Sequence, residues 1–279
     1  RLLRRPAGRL LQAPRARALV SSTFSWPDHD KGIEEAHTPP KSWYTDADFL
    51  KHVESRRTFA GWTYAGRVDQ VAEPNAYMAR TLLGDPYVIV NQTEPGQPPA
   101  ADGAPALKAF YNVCRHHAAQ ILDDGDGSLA ATNGRLVCPY HGWEYTRDGR
   151  LAKAVRMTGC KNFKTRDLGL VPLAVDALGP WIFVNRDPNS AGSLLLDQPD
   201  MREFWGLLRD SGVGRLRHVA TRRYHLRCNW KVFIDNYLDG GYHVGVAHPK
   251  LAANLDMESY RNAASRSYFL QQVGSHDDE

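Results

Sequence analysis

Short apolar runs dominate the middle of the chain and are typical of β-strands. They are rich in Val, Ile, Tyr, Phe and Trp, are bounded by Gly, Pro, Asn or Asp, and occupy residues 62–68, 87–91, 109–113 and 181–185. This pattern predicts a small antiparallel β-domain. Residues 93–105 hold four prolines and predict an exposed loop, whereas Asp148-Gly149 predicts a tight hairpin turn.

Helical spacing of apolar residues precedes this part of the chain. Thr45 is expected to cap a helix that has Asp48 at its third position. Phe49 and Leu50 begin the apolar face, and the pattern ends near residue 57. We therefore expect one helix ahead of the first strand.

Helical and extended patterns also follow the β-rich part. A polar linker over residues 187–199 leads into a predicted helix over residues 201–208. A strand is expected at residues 224–228, and a second helix is expected to begin near Asn229-Trp230. The whole pattern predicts an α+β protein.

Composition and charge narrow the function classes. Hydrophobic residues make up 42% of the 279 positions, yet no segment reaches the roughly 18–20 consecutive apolar residues of a membrane-spanning helix. The net charge of +4 falls to −2 when the six arginines ahead of Asp28 are set aside, which gives nucleic-acid binding little support. Residues 1–27, rich in arginine and free of acids before Asp28, predict an organelle transit peptide; a disordered basic tail is the alternative.

Two Cys/His pairs carry the first chemical signal. Cys114-Arg115-His116 and Cys138-Pro139-Tyr140-His141 each join one thiolate to one imidazole, with 21 residues between the pairs. Alternating sulfur and nitrogen ligands are typical of a Rieske [2Fe-2S] cluster, in which one iron takes two sulfurs and the other two nitrogens. A Cys2His2 zinc site uses the same ligand types but usually groups like with like.

Four other residues are interpreted without a role in metal binding. His117 follows a predicted ligand on a segment expected to be extended, so its side chain is expected to face away from the cluster. Cys160 and Cys228 have no metal-like neighbours and are interpreted as small buried residues. Trp143 is expected to be a core residue beside the second pair.

A second constellation lies in the C-terminal part. Asp239 and His243 are four residues apart and are predicted to share one helix face, while His248 follows where Gly245 and Pro249 indicate that the helix ends. Two imidazoles and a carboxylate form the facial triad that binds non-heme Fe(II) and leaves positions open for dioxygen. His243 and His248 are therefore the predicted ligands of a mononuclear iron.

With both constellations present, the sequence resembles the Rieske oxygenase family, and within it the choline-oxidising enzymes of chloroplasts. The similar segments are residues 38–45, 111–114, 137–143 and 229–243, with Ala247-His248. The resemblance implies a Rieske all-β domain at residues 61–186 after a helical lead-in at 28–60. It also implies that residues 187–279 are the beginning of a helix-grip catalytic domain.

The resemblance also implies a reaction and partners. Ferredoxin is the expected electron donor. O2 and choline are the expected substrates, and betaine aldehyde hydrate is the expected product. The expected assembly is a trimer-like homo-oligomeric ring, and the expected location is the chloroplast stroma. Two alternatives for the substrate stay open: another quaternary amine such as carnitine, or an aromatic compound. Two alternatives for the protein class also stay open: a Rieske electron carrier without oxygenase activity, or a zinc-binding module.

The sequence departs from the family pattern at two points. Family members often place a bridging carboxylate three residues before the first histidine, where this chain has Gly240, so Asp239 is the candidate for the electron-bridging role. The family's third iron ligand is an aspartate far downstream of the second histidine. We therefore expect this ligand to lie beyond residue 279 and the chain to be a fragment.

Overall fold

The computed structural model describes residues 31–32, 34–54, 61–82, 84–96, 105–239, 241–265 and 267–276. The expected transit peptide, most of the predicted loop at 93–105 and Gly240 lie outside the described residues. The twelve strands of the described part are β1 (Thr63–Arg67), β2 (Ala76–Leu82), β3 (Asp85–Asn91), β4 (Leu107–Tyr111), β5 (Gly125–Ser128), β6 (Leu136–Val137), β7 (Glu144–Tyr145), β8 (Leu151–Lys153), β9 (Pro172–Leu178), β10 (Trp181–Asn185), β11 (Leu255–Ala264) and β12 (Phe269–Ser275).

The helices are short and lie at both ends of the chain. They are α1 (Ser42–Thr45), α2 (Leu194–Asp197), α3 (Met201–Arg209), α4 (Trp230–Leu238), α5 (Val244–Ala247) and α6 (Pro249–Ala252), together with a π-helical turn at Phe49–Glu54. Strands and helices together confirm the α+β prediction. No helix in the described ranges is long and apolar enough to cross a membrane.

Seven strands form one antiparallel sheet in the order β1-β10-β9-β4-β3-β2-β5. Alternate residues of β3 enter two separate cores: Val88 and Val90 pack in one, and Tyr87 and Ile89 in the other. Because successive strand residues point to opposite faces, this sheet is covered on both sides. The first core continues into a smaller sheet, β6-β7-β8, and brings the two sheets together.

The hairpin of β7 and β8 turns where the sequence predicts. Gly149 has φ +86° and donates its backbone N–H to the Thr146 carbonyl (2.8 Å). A side chain at this position would collide with the ring of Phe110, so both the φ angle and the packing require glycine. This turn closes the small sheet against the large one.

The N-terminal helical prediction is wrong about the cap. Thr45 lies inside α1, where its hydroxyl donates to the Lys41 carbonyl. Asp46 is the capping residue, and its carboxylate accepts from the backbone N–H groups of Asp48 and Phe49 (2.7 and 3.1 Å). An aspartate side chain competes well for exposed amides, which ends α1 and begins the π-helical turn.

Predictions for the C-terminal part have mixed outcomes. The helix expected at 201–208 is α3, and the helix expected at Asn229 is α4, capped by the Asn229 side chain on the Lys231 amide (3.0 Å). The strand expected at 224–228 is wrong, because these residues have no regular structure and are exposed. Cys160 and Cys228 are also exposed rather than buried, because neither lies in a strand or helix that packs on a core.

Candidate functional site

The first Cys/His pair lies in the loop after β4, where backbone hydrogen bonds fix its shape. The Cys114 amide donates to the Ala119 carbonyl (2.8 Å), and the Ala118 amide donates back to the Cys114 carbonyl (3.0 Å). Ala118 is in the left-handed region with φ +57°. The turn thus directs the Cys114 side chain into the core, where it is 2% exposed, while His116 lies at the surface end.

The second pair lies between β6 and β7 in a loop closed in the same way. The Cys138 amide donates to the Trp143 carbonyl (2.8 Å), and the Gly142 amide donates to the Cys138 carbonyl (3.0 Å). Gly142 is left-handed with φ +68°. Both loops therefore bury a cysteine at their base and present a histidine, His116 or His141, near their tip.

The two cysteines are neighbours with free thiols. Burial raises the pKa of the Cys114 thiol, the adjacent Cys138 raises it further, and hydrogen bonds from Tyr145 and the His116 amide oppose the rise. The Tyr145 hydroxyl lies 3.2 Å from the Cys114 sulfur. A bound cation offsets the charge of two buried thiolates, so this pair suits an iron or zinc centre.

The histidines complete a donor set at the same end of the domain. The His116 ring stacks on Trp143 (centroids 4.5 Å apart, 6° between planes) and lies edge-on to His141 (4.9 Å). Burial and the neighbouring rings of His117 and His141 lower the pKa of His116, which favours the neutral imidazole. Its Nδ1 atom is buried with no hydrogen-bond partner among the described residues, as a metal-binding nitrogen requires.

His117 does not face away from the predicted cluster site. Its ring lies 4.0 Å from that of His116 and 5.2 Å from that of His141. These three histidines bring ligand nitrogens within 4.8 Å of one another, the one such group in the described residues. The expectation is wrong because residues 115–117 form a turn rather than an extended segment, so alternation of side chains does not apply.

Tyr145 is a site residue that the sequence reading did not single out. It is fully buried, accepts a hydrogen bond from the Arg115 amide (2.9 Å) and contacts the Cys114 sulfur. Strand alternation offers the only signal, since Tyr145 lies two residues after Trp143 and projects to the same side. A thiolate can only accept, so the Tyr145 proton is directed to the sulfur when Cys114 is deprotonated.

The second constellation forms at breaks between short helices. Asp239 caps the C-terminal end of α4, and one carboxylate oxygen accepts from the His243 amide (3.1 Å) and lies 2.6 Å from the His243 Nδ1 atom. The rings of His243 and His248 are 5.4 Å apart. The structure thus brings all three residues together.

The continuous helix predicted through His243 is wrong. Gly241 has φ +75°, and His243 begins α5 while His248 separates α5 from α6. Five residues of unbroken helix would place the two histidines about 140° apart around its axis. The breaks instead turn both imidazoles toward each other.

In this geometry Asp239 could support His243 as a metal ligand. A carboxylate on Nδ1 of His243 fixes the ring orientation and leaves Nε2 for a metal, as is common around protein-bound metals. Together with His248 the arrangement supplies two imidazole ligands. The residues present therefore fit a mononuclear metal.

Two family models match the chain in this order. Residues 61–164 match the Rieske [2Fe-2S] domain, and residues 213–278 match the ring hydroxylating alpha subunit (catalytic domain). The first match contains both Cys/His loops, and the second contains Asp239, His243 and His248.

The curated relatives include choline monooxygenases and carnitine monooxygenase oxygenase subunits. Chloroplastic choline monooxygenase of Arabidopsis thaliana is 38% identical over 249 residues, covering 87% of this chain and 56% of the relative. The carnitine monooxygenase oxygenase subunit of Acinetobacter pittii is 31% identical, covering 85% of this chain and 59% of the relative. The chain thus spans little more than half the length of these relatives.

Solved structures agree with the sequence matches. A quaternary ammonium Rieske monooxygenase in complex with an inhibitor aligns with a TM-score of 0.74 at 29% identity, covering 87% of this chain and 63% of that chain. A naphthalene 1,2-dioxygenase aligns with a TM-score of 0.61 at 24% identity, covering 74% and 44%, and shares the fold. The chain therefore contains a Rieske [2Fe-2S] domain followed by part of a ring-hydroxylating catalytic domain, with a cluster of candidate metal ligands in each.

Proposed function

We propose that this chain is part of the oxygenase component of a ferredoxin-dependent Rieske monooxygenase acting on choline. The observation that carries the proposal is the pair of equivalent loops that places two buried thiols and two imidazoles at one end of the β-domain. The proposed cluster ligands are Cys114, His116, Cys138 and His141. The proposed ligands of mononuclear Fe(II) are His243 and His248, and we assign residues 61–186 to the cluster domain.

The protein's part in cluster chemistry is to hold and tune the ligands. A [2Fe-2S] cluster bound here supplies one-electron transfer at a potential raised by its two neutral imidazoles. The two closed loops fix the sulfur positions, Trp143 holds the His116 ring by stacking, and Tyr145 donates to the Cys114 sulfur. Each of these contacts restricts the position of a proposed cluster ligand.

The second site has the features of an oxygen-activating centre. Iron(II) held by two histidines keeps open positions for dioxygen. Asp239 orients His243 and is the proposed link to the cluster of a neighbouring subunit, in a homo-oligomeric ring. The spacing of four residues fits this role because the carboxylate reaches both the amide and the ring of His243.

Choline is favoured as substrate by the higher identity to choline monooxygenases, which reaches 38% against 30–31% for carnitine monooxygenases. Hydroxylation of the carbon that bears the hydroxyl group gives betaine aldehyde hydrate, with electrons from ferredoxin and oxygen from O2. The chloroplastic relatives support the chloroplast stroma as the location. Carnitine is the second candidate substrate because its monooxygenases match 85% of this chain.

Substrate oxidation tests the proposal directly. Purified full-length protein supplied with reduced ferredoxin and O2 should convert choline to betaine aldehyde, measured by mass spectrometry, and should leave carnitine unchanged. Turnover of carnitine in place of choline would reject the substrate assignment. Consumption of neither, with ferredoxin still oxidised by the protein, would favour an electron carrier.

Iron counting tests the two sites separately. We expect the full-length protein to hold about three irons per chain, two in the cluster and one in the mononuclear site. Cys138→Ala should remove the cluster pair, and His243→Ala should remove the single iron while the reduced cluster keeps its EPR signal. His218→Ala, which changes a histidine bonded to Thr221, is the matched control and should leave iron content unchanged. Zinc in place of iron would refute both assignments.

A further inference from the structure

The short N-terminal helix is tied to helix α4 across 191 positions of sequence. The Tyr44 hydroxyl donates to the Asp235 carboxylate (2.7 Å), and the Asn229 side chain donates to the Tyr44 carbonyl (3.2 Å). Burial and the Asp235 carboxylate raise the pKa of Tyr44 to about 12, so its hydroxyl keeps the proton at neutral pH. The Tyr44 hydroxyl can therefore donate to Asp235 at neutral pH.

Two aromatic rings of the same N-terminal segment and one ring of α4 itself surround a lysine of α4. The Lys231 ammonium lies 5.5 Å from the Tyr44 ring centroid, 5.4 Å from that of Phe49 and 5.2 Å from that of Trp230. Each lies within the roughly 6 Å range of a cation–π interaction, which strengthens as the pair is desolvated. Phe49 is buried and stacks on Trp43 (5.1 Å), so this aromatic box is itself fixed.

These contacts hold a helix that has little other support among the described residues. No residue of α4 is buried, and its apolar side chains Val232, Phe233 and Tyr237 are exposed. Gln271 of β12 adds a hydrogen bond to the Tyr237 carbonyl (2.6 Å). The orientation of α4 thus depends mainly on polar and cation–π contacts.

Helix α4 transmits that orientation to the mononuclear site. Lys231, Asp235 and Asp239 are spaced by four residues and lie on one face, and the Asp239 amide donates to the Asp235 carbonyl (2.9 Å). Asp239 in turn holds His243 through both its amide and its ring. A rotation of α4 would therefore displace the carboxylate that orients a metal ligand.

We propose that Tyr44 and Lys231 are positioning residues for the mononuclear metal site: they clamp α4 so that Asp239 holds His243 in its metal-binding orientation. This inference rests on the proposed function, in which His243 and His248 bind the metal. It assigns to the segment before the cluster domain a role in the chemistry of the catalytic domain.

Cobalt(II) is a suitable probe because it replaces Fe(II) and its EPR spectrum reports ligand geometry while the oxidised cluster is EPR-silent. We expect Tyr44→Phe to bind Co(II) about 3- to 10-fold more weakly than the unaltered protein, less than the 10- to 100-fold typical of direct partners of a ligand. Its Co(II) spectrum should broaden or shift. Tyr64→Phe, which removes an exposed hydroxyl from β1, is the control and should match the unaltered protein.

Conservative and coupled variants separate positioning from general stability. Lys231→Met should weaken Co(II) binding, and Lys231→Arg, which keeps the cation, should restore it. Tyr44→Phe combined with Asp235→Ala should lose no more affinity than the larger single effect, because both variants remove the same hydrogen bond. The cluster EPR of the reduced protein should be the same in every variant.

Two results would overturn the inference by different routes. Unchanged Co(II) affinity and spectra in Tyr44→Phe and Lys231→Met would refute the clamp while leaving the metal site intact. Equal Co(II) binding by the unaltered protein and by His243→Ala would refute the metal site of the proposed function, and the clamp with it.

Discussion

The Tyr145 hydroxyl is the most informative single group to remove, because it touches a proposed cluster ligand and its loop at once. Its oxygen accepts from the Arg115 amide (2.9 Å), and its proton can be donated to the Cys114 sulfur 3.2 Å away when that sulfur is a thiolate. Tyr145→Phe removes both bonds and keeps the ring. The ring is fully buried, so packing stays close to the original.

The expected magnitude follows from the charge on the sulfur. A hydrogen bond to a charged group contributes about 1.5–3 kcal/mol. Reduction adds negative charge to the cluster, so the bond is stronger in the reduced state. If roughly 1 kcal/mol of it is gained only on reduction, its loss lowers the reduction potential by about 40 mV, since 59 mV corresponds to a tenfold change for one electron. The orphaned Arg115 amide costs about 1–3 kcal/mol of folding stability in addition.

Potentiometric titration monitored by EPR measures the first effect, and urea unfolding the second. Tyr77→Phe is the matched control, because Tyr77 packs on the same core with its hydroxyl beside Gly127. The control should change the potential by less than about 10 mV, since no bond to a cluster ligand is lost. A Tyr145→Phe protein with a full cluster and an unchanged or higher potential would refute the reasoning.

Three further changes test the fold and its acid response. Gly149→Ala should lower the free energy of unfolding, measured in urea, by about 2–4 kcal/mol, because the new side chain clashes with Phe110 and the positive φ is unfavourable for alanine. Gly84 has a similar positive φ but open space around it, so Gly84→Ala should lower this free energy by only about 1–2 kcal/mol. Asn91→Ala should cost about 3 kcal/mol, because its buried amide donates to three backbone carbonyls of the turn before β2; full stability would contradict this. Hydrogen bonds from two serines lower the pKa of Asp200 from 3.8 to about 2, so its contribution to stability is present above pH 4 and is lost as pH falls toward 2. Unfolding curves for Asp200→Asn should therefore depend less on pH in this window, and equal dependence would count against the bonds.

The sequence predicted correctly those turns and helix starts that are stabilised by contacts between residues close together in the chain. The Asn229 side chain caps α4 through an amide two residues away, and Asp148-Gly149 makes its own turn. Both are visible in a few adjacent letters. The alternating Cys/His pairs indicated the cluster site for the same reason, since each pair lies within one loop.

Features that depend on the closure of a loop could not be predicted in this way. His117 turns toward His116 because Ala118 adopts a left-handed conformation, which alanine rarely does. Tyr44 meets Asp235 only when the chain has folded across 191 positions. Neither apolar periodicity nor composition carries information about such contacts.

The breaks around His243 show why a periodicity argument can find the right residues for the wrong reason. Asp239 and His243 were paired on helical spacing, yet the structure pairs them through a helix cap and a glycine turn. In an unbroken helix the His243 amide would donate to the Asp239 carbonyl, so it reaches the carboxylate only because α4 ends at this point. The spacing therefore predicted the pair of side chains but not the backbone contact between them.

The two cysteine loops are closed by backbone hydrogen bonds that do not involve the proposed ligand atoms, and this has a consequence for assembly. The bonds that shape each loop, from Cys114 to Ala119 and from Cys138 to Trp143, use no atom that would ligate iron. We therefore expect an iron-free polypeptide to keep both loops folded. The cofactor would then be inserted into a preformed binding site and would not have to order the loops. Loading and loss of iron can then be reversible without passage through an unfolded domain.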